Sequence, residues 1–250
     1  MATVTAPGYP RKAAATLPGR RFDHVFFFTM SLLMLATVFF GFARTYYLAG
    51  VFHAPLPSLI IHVHGAAFSC WILLLVTQTS LVSAGRTDLH RRLGIAGFLL
   101  GCFMVVAGVL AATDSLARAA GPPGRDAKAF YIVPLTDMVV FATLLSSAYR
   151  KRFDSAAHKR LIFVATTALL IAAVARLPFA FSYRKNVTAA ALTWSFLLLL
   201  AVYDFWSTRK LHRATLWSSL FLISVQLIRI PIGKTAAWHG FAAWVQDLWR

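Results

Sequence analysis

Seven long apolar stretches constrain this chain more than any other feature. Each approaches the ~20 residues that a helix needs to cross a hydrocarbon core of ~30 Å. In that medium only helices and closed barrels can pair their own backbone groups. The stretches run from about Phe22 to Leu48, Ser58 to Ala84, Leu93 to Thr113, Phe130 to Tyr149, Leu161 to Phe181, Val187 to Trp206 and Ala214 to Ile232. The expected fold is an all-α polytopic membrane helical bundle with about seven transmembrane helices. Residues 1–21 form a basic cytoplasmic tail with no apolar core, so the first span acts as its own anchor. Residues 22–232 form the transmembrane domain and 233–250 a C-terminal segment. There Trp238, Phe241, Val245 and Leu248 recur at helical spacing, which predicts an amphipathic helix lying in the interface or docked on the bundle.

Composition agrees: 59% of residues are hydrophobic and 13% are charged, against ~25% charged in a soluble domain. The net charge of +17 does not point to nucleic acid, because the basic residues lie in short runs between the apolar stretches. That is the positive-inside pattern. Fifteen of the 25 lysines and arginines fall on one side. The amino terminus is thus expected in the cytoplasm and the carboxyl terminus outside, in a bacterial inner membrane with the lipid bilayer as first partner. Cys70 and Cys102 fall inside apolar stretches without metal-type spacing and read as small core residues. There is no Walker loop, dinucleotide fingerprint, HExxH or paired CxxC, so no enzyme class is indicated.

Ionisable residues within spans are costly and therefore informative. The second stretch opens on Ile61-His62-Val63-His64-Gly65, and the third on Asp88-Leu89-His90-Arg91-Arg92. His62 and His64 lie about 200° apart around a helix and cannot both reach one centre. His64, Trp71 and Gln78 recur every seven residues on one stripe, so His64 is the inward-facing member. At ~1.5 Å rise per residue, His64, Asp137, Arg176, Gln226 and Arg229 fall in one outer stratum. With His62 beside them, they form a candidate set for an anionic or amphipathic ligand. Asp137 is expected to contact an arginine across the bundle. An inner tier holds His90, His158 and His212, each at the mouth of an odd-numbered span and each followed by a basic residue, which suits phosphate or propionate contacts. Three histidines with an open position can also hold a metal that activates water. The inner histidines, with Arg176-Leu177-Pro178 and Arg229-Ile230-Pro231 at the far ends of two spans, suggest repeated two-helix hairpins.

The early histidine of one span, the Leu-His start of the next and a histidine two helices on resemble the di-haem b-type transmembrane cytochromes of the ascorbate-reducible class. The matching positions are His64, His90 and His158. The resemblance implies haem b as cofactor, His90 and His158 as one ligand pair, and a role in transmembrane electron transfer with a redox partner. It departs at the fourth span, where Asp137 stands in place of a histidine. The HxHG, LHRRLG and HKRL segments also resemble those of uncharacterised bacterial seven-span membrane proteins, a likeness that implies no activity. An accessory subunit of a larger membrane complex and a ligand-binding or transport protein are the alternative readings.

Overall fold

The computed structural model describes residues 18–55, 57–120, 124–177 and 185–249. Most of the tail and residues 178–181 of the fifth expected span lie outside them. Eight α-helices follow in order: α1 (Pro18–Phe42), α2 (Leu59–Ser83), α3 (Thr87–Ala117), α4 (Ala127–Arg150), α5 (Ser155–Val174), α6 (Lys185–Thr208), α7 (Arg213–Ile232) and α8 (Ala236–Trp249). A π-helical turn, Ala43–Tyr47, ends α1. No strand occurs among the described residues. Among the described residues, seven helices are long and apolar enough to cross a membrane, which suggests a lipid bilayer environment.

The helix ends differ from the hydropathy boundaries, because hydropathy finds the apolar part of a helix and capping sets its ends. Asp154 caps α5 by accepting from the Ala157 amide at 3.1 Å, and Asp126 caps α4 by accepting from Lys128 N at 2.9 Å. Helix α5 therefore begins at Ser155, while α3 begins at Thr87 without a side-chain cap, and each carries its histidine in the first two turns.

Helices α1 to α5 form a closed ring, each packed on the next and α5 returning to α1, while α6 and α7 pack outside against α5. Helix α5 thus has neighbours on nearly every side. Its composition suits that place: Ala165, Ala168, Ala173, Thr166 and Thr167 are all buried, and small residues let helices approach closely in lipid, where apolar surface alone gives no drive to associate. The tightest approach is at Gly41, where an added Cβ would run into the Ala173 backbone. Gly41→Ala should lower stability by ~1–3 kcal/mol, because backbone cannot swing aside as a side chain can. Gly50→Ala, with nothing within 4 Å of the added carbon, should be close to neutral. Thermal unfolding of both in detergent checks the contrast.

One expectation needs correction. Cys70 and Cys102 are exposed; they point out of the bundle, since an apolar helix can turn a cysteine to lipid at little cost. Helix α8 is docked on the ends of α3 and α4, one of the two placements expected for it. Ala242 packs with Leu116 and Tyr131, Gln246 Nε2 donates to the Leu116 carbonyl at 2.9 Å, and Trp238 Nε1 donates to the Lys128 carbonyl at 2.8 Å. Phe241, Trp244 and Leu248 remain exposed, so the residues grouped from spacing divide between docking and outward faces.

Candidate functional site

The alternation of helix direction brings the polar residues to two levels. One holds the start of α2, the ends of α1, α5 and α7, and α8; the other holds the starts of α3, α5 and α7.

At the first level the expected cross-bundle pair is present. Arg229 Nη1 donates to Asp137 Oδ1 at 2.6 Å and lies 3.3 Å from both the Val133 carbonyl and Thr136 Oγ1. Both residues are buried. The pair ties α7 to α4. Gln226, one turn earlier on α7, accepts from Trp194 Nε1 at 2.7 Å, while its Nε2 is buried without a partner. These residues are neighbours, but not of His62. His62 faces outward and its carbonyl accepts from Tyr46 at 3.2 Å.

The π-helical turn swings both its tyrosines onto α2. Tyr47 pairs with Ser69 at 2.7 Å, and Tyr46 lies over Gly65, where a Cβ would meet its ring at 2.7 Å. His64 points the other way, into the bundle, as the stripe predicted. Trp71 is buried and donates to Thr166 Oγ1 at 3.2 Å, and Gln78 Nε2 donates to the His90 carbonyl at 3.3 Å. The His64 ring lies 4.2 Å from that of Phe68 between centroids, and no second imidazole ring faces it among the described residues. It lies against the Ala107 backbone. Its Nδ1 is buried without a partner.

Arg176 and Arg229, alike in sequence context, differ in place. Arg229 is inside α7, whereas Arg176 stands in the turn just past α5. Its Nη1 donates to the Ala172 carbonyl at 2.6 Å and its guanidinium sits 4.6 Å from the Phe42 ring centroid.

At the second level, His90 and His158 face each other from α3 and α5. Their ring centroids are 6.4 Å apart with planes at 85°. His158 Nδ1 lies 2.9 Å from the Ala148 carbonyl; a carbonyl only accepts, so Nδ1 carries the proton and Nε2 is left open. His90 Nδ1 and Gln78 Oε1 are buried and unpartnered. His212 does not join them. Its Nδ1 caps α7 by accepting from the Ala214 amide at 3.1 Å. Burial, with Arg160 nearby, holds this imidazole below its ordinary range, in keeping with a neutral ring whose lone pair is in use. No three metal-ligating side chains come together among the described residues, so the expected trio reduces to a pair.

Sequence reasoning did not find the cluster beside this pair. Asp204 on α6 is fully buried. Its Oδ1 accepts from Arg160 Nε at 2.8 Å and Nη2 at 2.5 Å; its Oδ2 accepts from Thr215 Oγ1 at 2.6 Å and the His212 amide at 3.1 Å. Arg160 had the appearance of one more basic residue at a span mouth. Only an aspartate inside the next apolar stretch hinted at a counter-charge. Two apolar grooves, of 140 Å³ between α1 and α2 and 260 Å³ between α6 and α7, reach no histidine.

Comparison with known proteins adds no further constraint: no family, no curated protein and no solved structure matches the chain.

Proposed function

We propose that this chain is an integral membrane protein that binds one b-type haem through His90 and His158 and takes part in electron transfer. The observation that carries the reading is the facing pair of imidazoles on two different helices. The residues fit the group: His158 is oriented by a backbone carbonyl in the manner of metal-ligating histidines, and the buried Nδ1 of His90 has no protein partner. Bound there, haem would supply a one-electron redox centre whose potential follows from its axial ligands and surroundings. The chain's part is to fix the two rings and to offer charge nearby. Arg91 and Arg92 directly follow His90 and would supply cations for propionates, whereas Lys159, which follows His158, is already paired with Asp23 at 2.6 Å. His64 has no imidazole partner, so this reading takes one haem where the cytochrome resemblance implied two.

The same reading puts the His90 level at the cytoplasmic face of a bacterial inner membrane, from the distribution of basic residues. Electron transfer requires a redox partner, and α2, with 17% of its apolar window buried, offers a broad flank for a further membrane subunit. The test is an absorption spectrum of protein purified after haem-supplemented expression. A Soret band that sharpens on reduction is expected, and His90→Ala or His158→Ala should abolish it while His212→Ala leaves it in place. A colourless wild-type preparation refutes the assignment.

A further inference from the structure

We propose that the groove between α6 and α7 holds one acyl chain of an anionic phospholipid, with the lipid phosphate on Arg209, Lys210 and Arg213. The site is separate from the histidine pair and stands with or without haem.

Helices α6 and α7 both pack on α5 and leave between them an apolar groove of 260 Å³. Trp194, Leu198 and Ala201 form one wall and Thr215, Ser219 and Ile223 the other, with no charged side chain in the lining. Leu198 is exposed at its edge, so the groove opens to the surroundings of the bundle, which in a bilayer are acyl chains. An empty groove would forfeit dispersion contacts along its whole length. A lipid chain is the nearest group that can restore them.

Ser219 makes the groove more than a greasy slot. A serine inside a helix ordinarily turns its hydroxyl onto the carbonyl four residues earlier, as Ser218 does to Ala214 at 2.5 Å. Ser219 Oγ is buried with no partner, although buried polar atoms are nearly always hydrogen-bonded. Its polar neighbours in the lining are already engaged. Thr215 donates to Asp204 at 2.6 Å, and Trp194 donates to Gln226 at 2.7 Å. The Ser219 hydroxyl therefore keeps a donor for a ligand oxygen, which a bare hydrocarbon lacks and a glycerol ester carries.

Charge at the end of the groove supplies an independent argument. Leu211 lines that end and stands between Lys210 and Arg213. Arg209, Lys210 and Arg213 are exposed, and none forms an ion pair with a carboxylate among the described residues. Asp204, the acid nearest in sequence, is taken up by Arg160, Thr215 and the His212 amide. The turn is also pinned: Thr208 Oγ1 donates to the Lys210 carbonyl at 2.8 Å, and the His212 amide to Asp204 Oδ2 at 3.1 Å. Six residues separate Arg213 from Ser219, or ~9 Å along the helix. A phosphate at the cations would thus put its ester near the hydroxyl and its chain in the groove. Basic pockets between spans hold anionic headgroups in this way.

The test titrates the full chain in neutral detergent with dioleoyl phosphatidylglycerol or dioleoyl phosphatidylcholine and follows Tm. A saturable rise that needs less phosphatidylglycerol than phosphatidylcholine is expected. Replacing Arg209, Lys210 and Arg213 together by glutamine should remove that preference, at about fivefold in affinity per cation. The same change at Arg150, Lys151 and Arg152 should keep it, because neither apolar groove reaches the turn between α4 and α5. Ser219→Ala should weaken both lipids about three- to tenfold, the scale of one neutral hydrogen bond. Ala201→Phe fills the groove without touching a charge and should abolish the rise. If the triple variant at the α6–α7 turn does not fold, Ser219→Ala and Ala201→Phe decide the matter. An equal response to the two lipids, an equal loss in the two triple variants, or a preference that survives Ala201→Phe overturns the proposal.

Discussion

Asp204→Ala should be among the most damaging single substitutions in this protein, lowering stability by ~3–5 kcal/mol. The reason lies in what is left behind. Arg160 is 3% exposed and would keep its charge in a dry interior with only the Ala156 carbonyl, at 2.8 Å, to meet it. The Thr215 hydroxyl and the His212 amide would lose their acceptor as well. Since those partners sit on α5 and at the start of α7, one carboxylate holds three helices in register. Asp204→Asn, which keeps an acceptor oxygen but removes the charge, should fall between the wild type and Asp204→Ala. Asp88→Ala makes the useful comparison: its ion pair with Arg86 is exposed on both sides, and exposed pairs contribute little. Unfolding of the purified variants in detergent measures all three. Equal stability of Asp204→Ala and Asp88→Ala would show that the buried cluster is not holding these helices.

What the sequence made legible follows from membrane physics. Spans were visible because a bilayer demands an unbroken apolar length, and the His64–Trp71–Gln78 stripe was visible because three polar-capable residues recurred at one phase. Asp137 could be assigned an arginine partner because a lone carboxylate at its depth is too costly. The facing of ordinary apolar residues was not legible. A helix bounded by lipid on one side and protein on the other is apolar all round, so Cys70 and Cys102 gave no sign of pointing outward. The same loss of contrast hid α5 as the central helix. Arg160 was obscured for a different reason: basic residues at span mouths are expected from topology, so a buried one looks like its solvated neighbours. The π-helical turn at Ala43–Tyr47 had no composition that sets it apart from the α1 stretch.

The Asp137–Arg229 pair allows a sharper separation of structure from binding. Asp137→Ala alone should cost ~3–5 kcal/mol, because Arg229 would stay buried with no counter-ion. The double substitution Asp137→Leu with Arg229→Met removes both charges and keeps most of the volume, so it should recover most of that loss. The double-mutant cycle then reports a coupling within the ~0.5–3 kcal/mol range of directly contacting residues, or above it. If the pair is a brace between α4 and α7, the double variant should fold and keep the absorption spectrum of the wild type, since neither charge lies at His90 or His158. The compactness of the pair argues for the brace: Arg229 Nη1 is already shared among Asp137, Thr136 and the Val133 carbonyl.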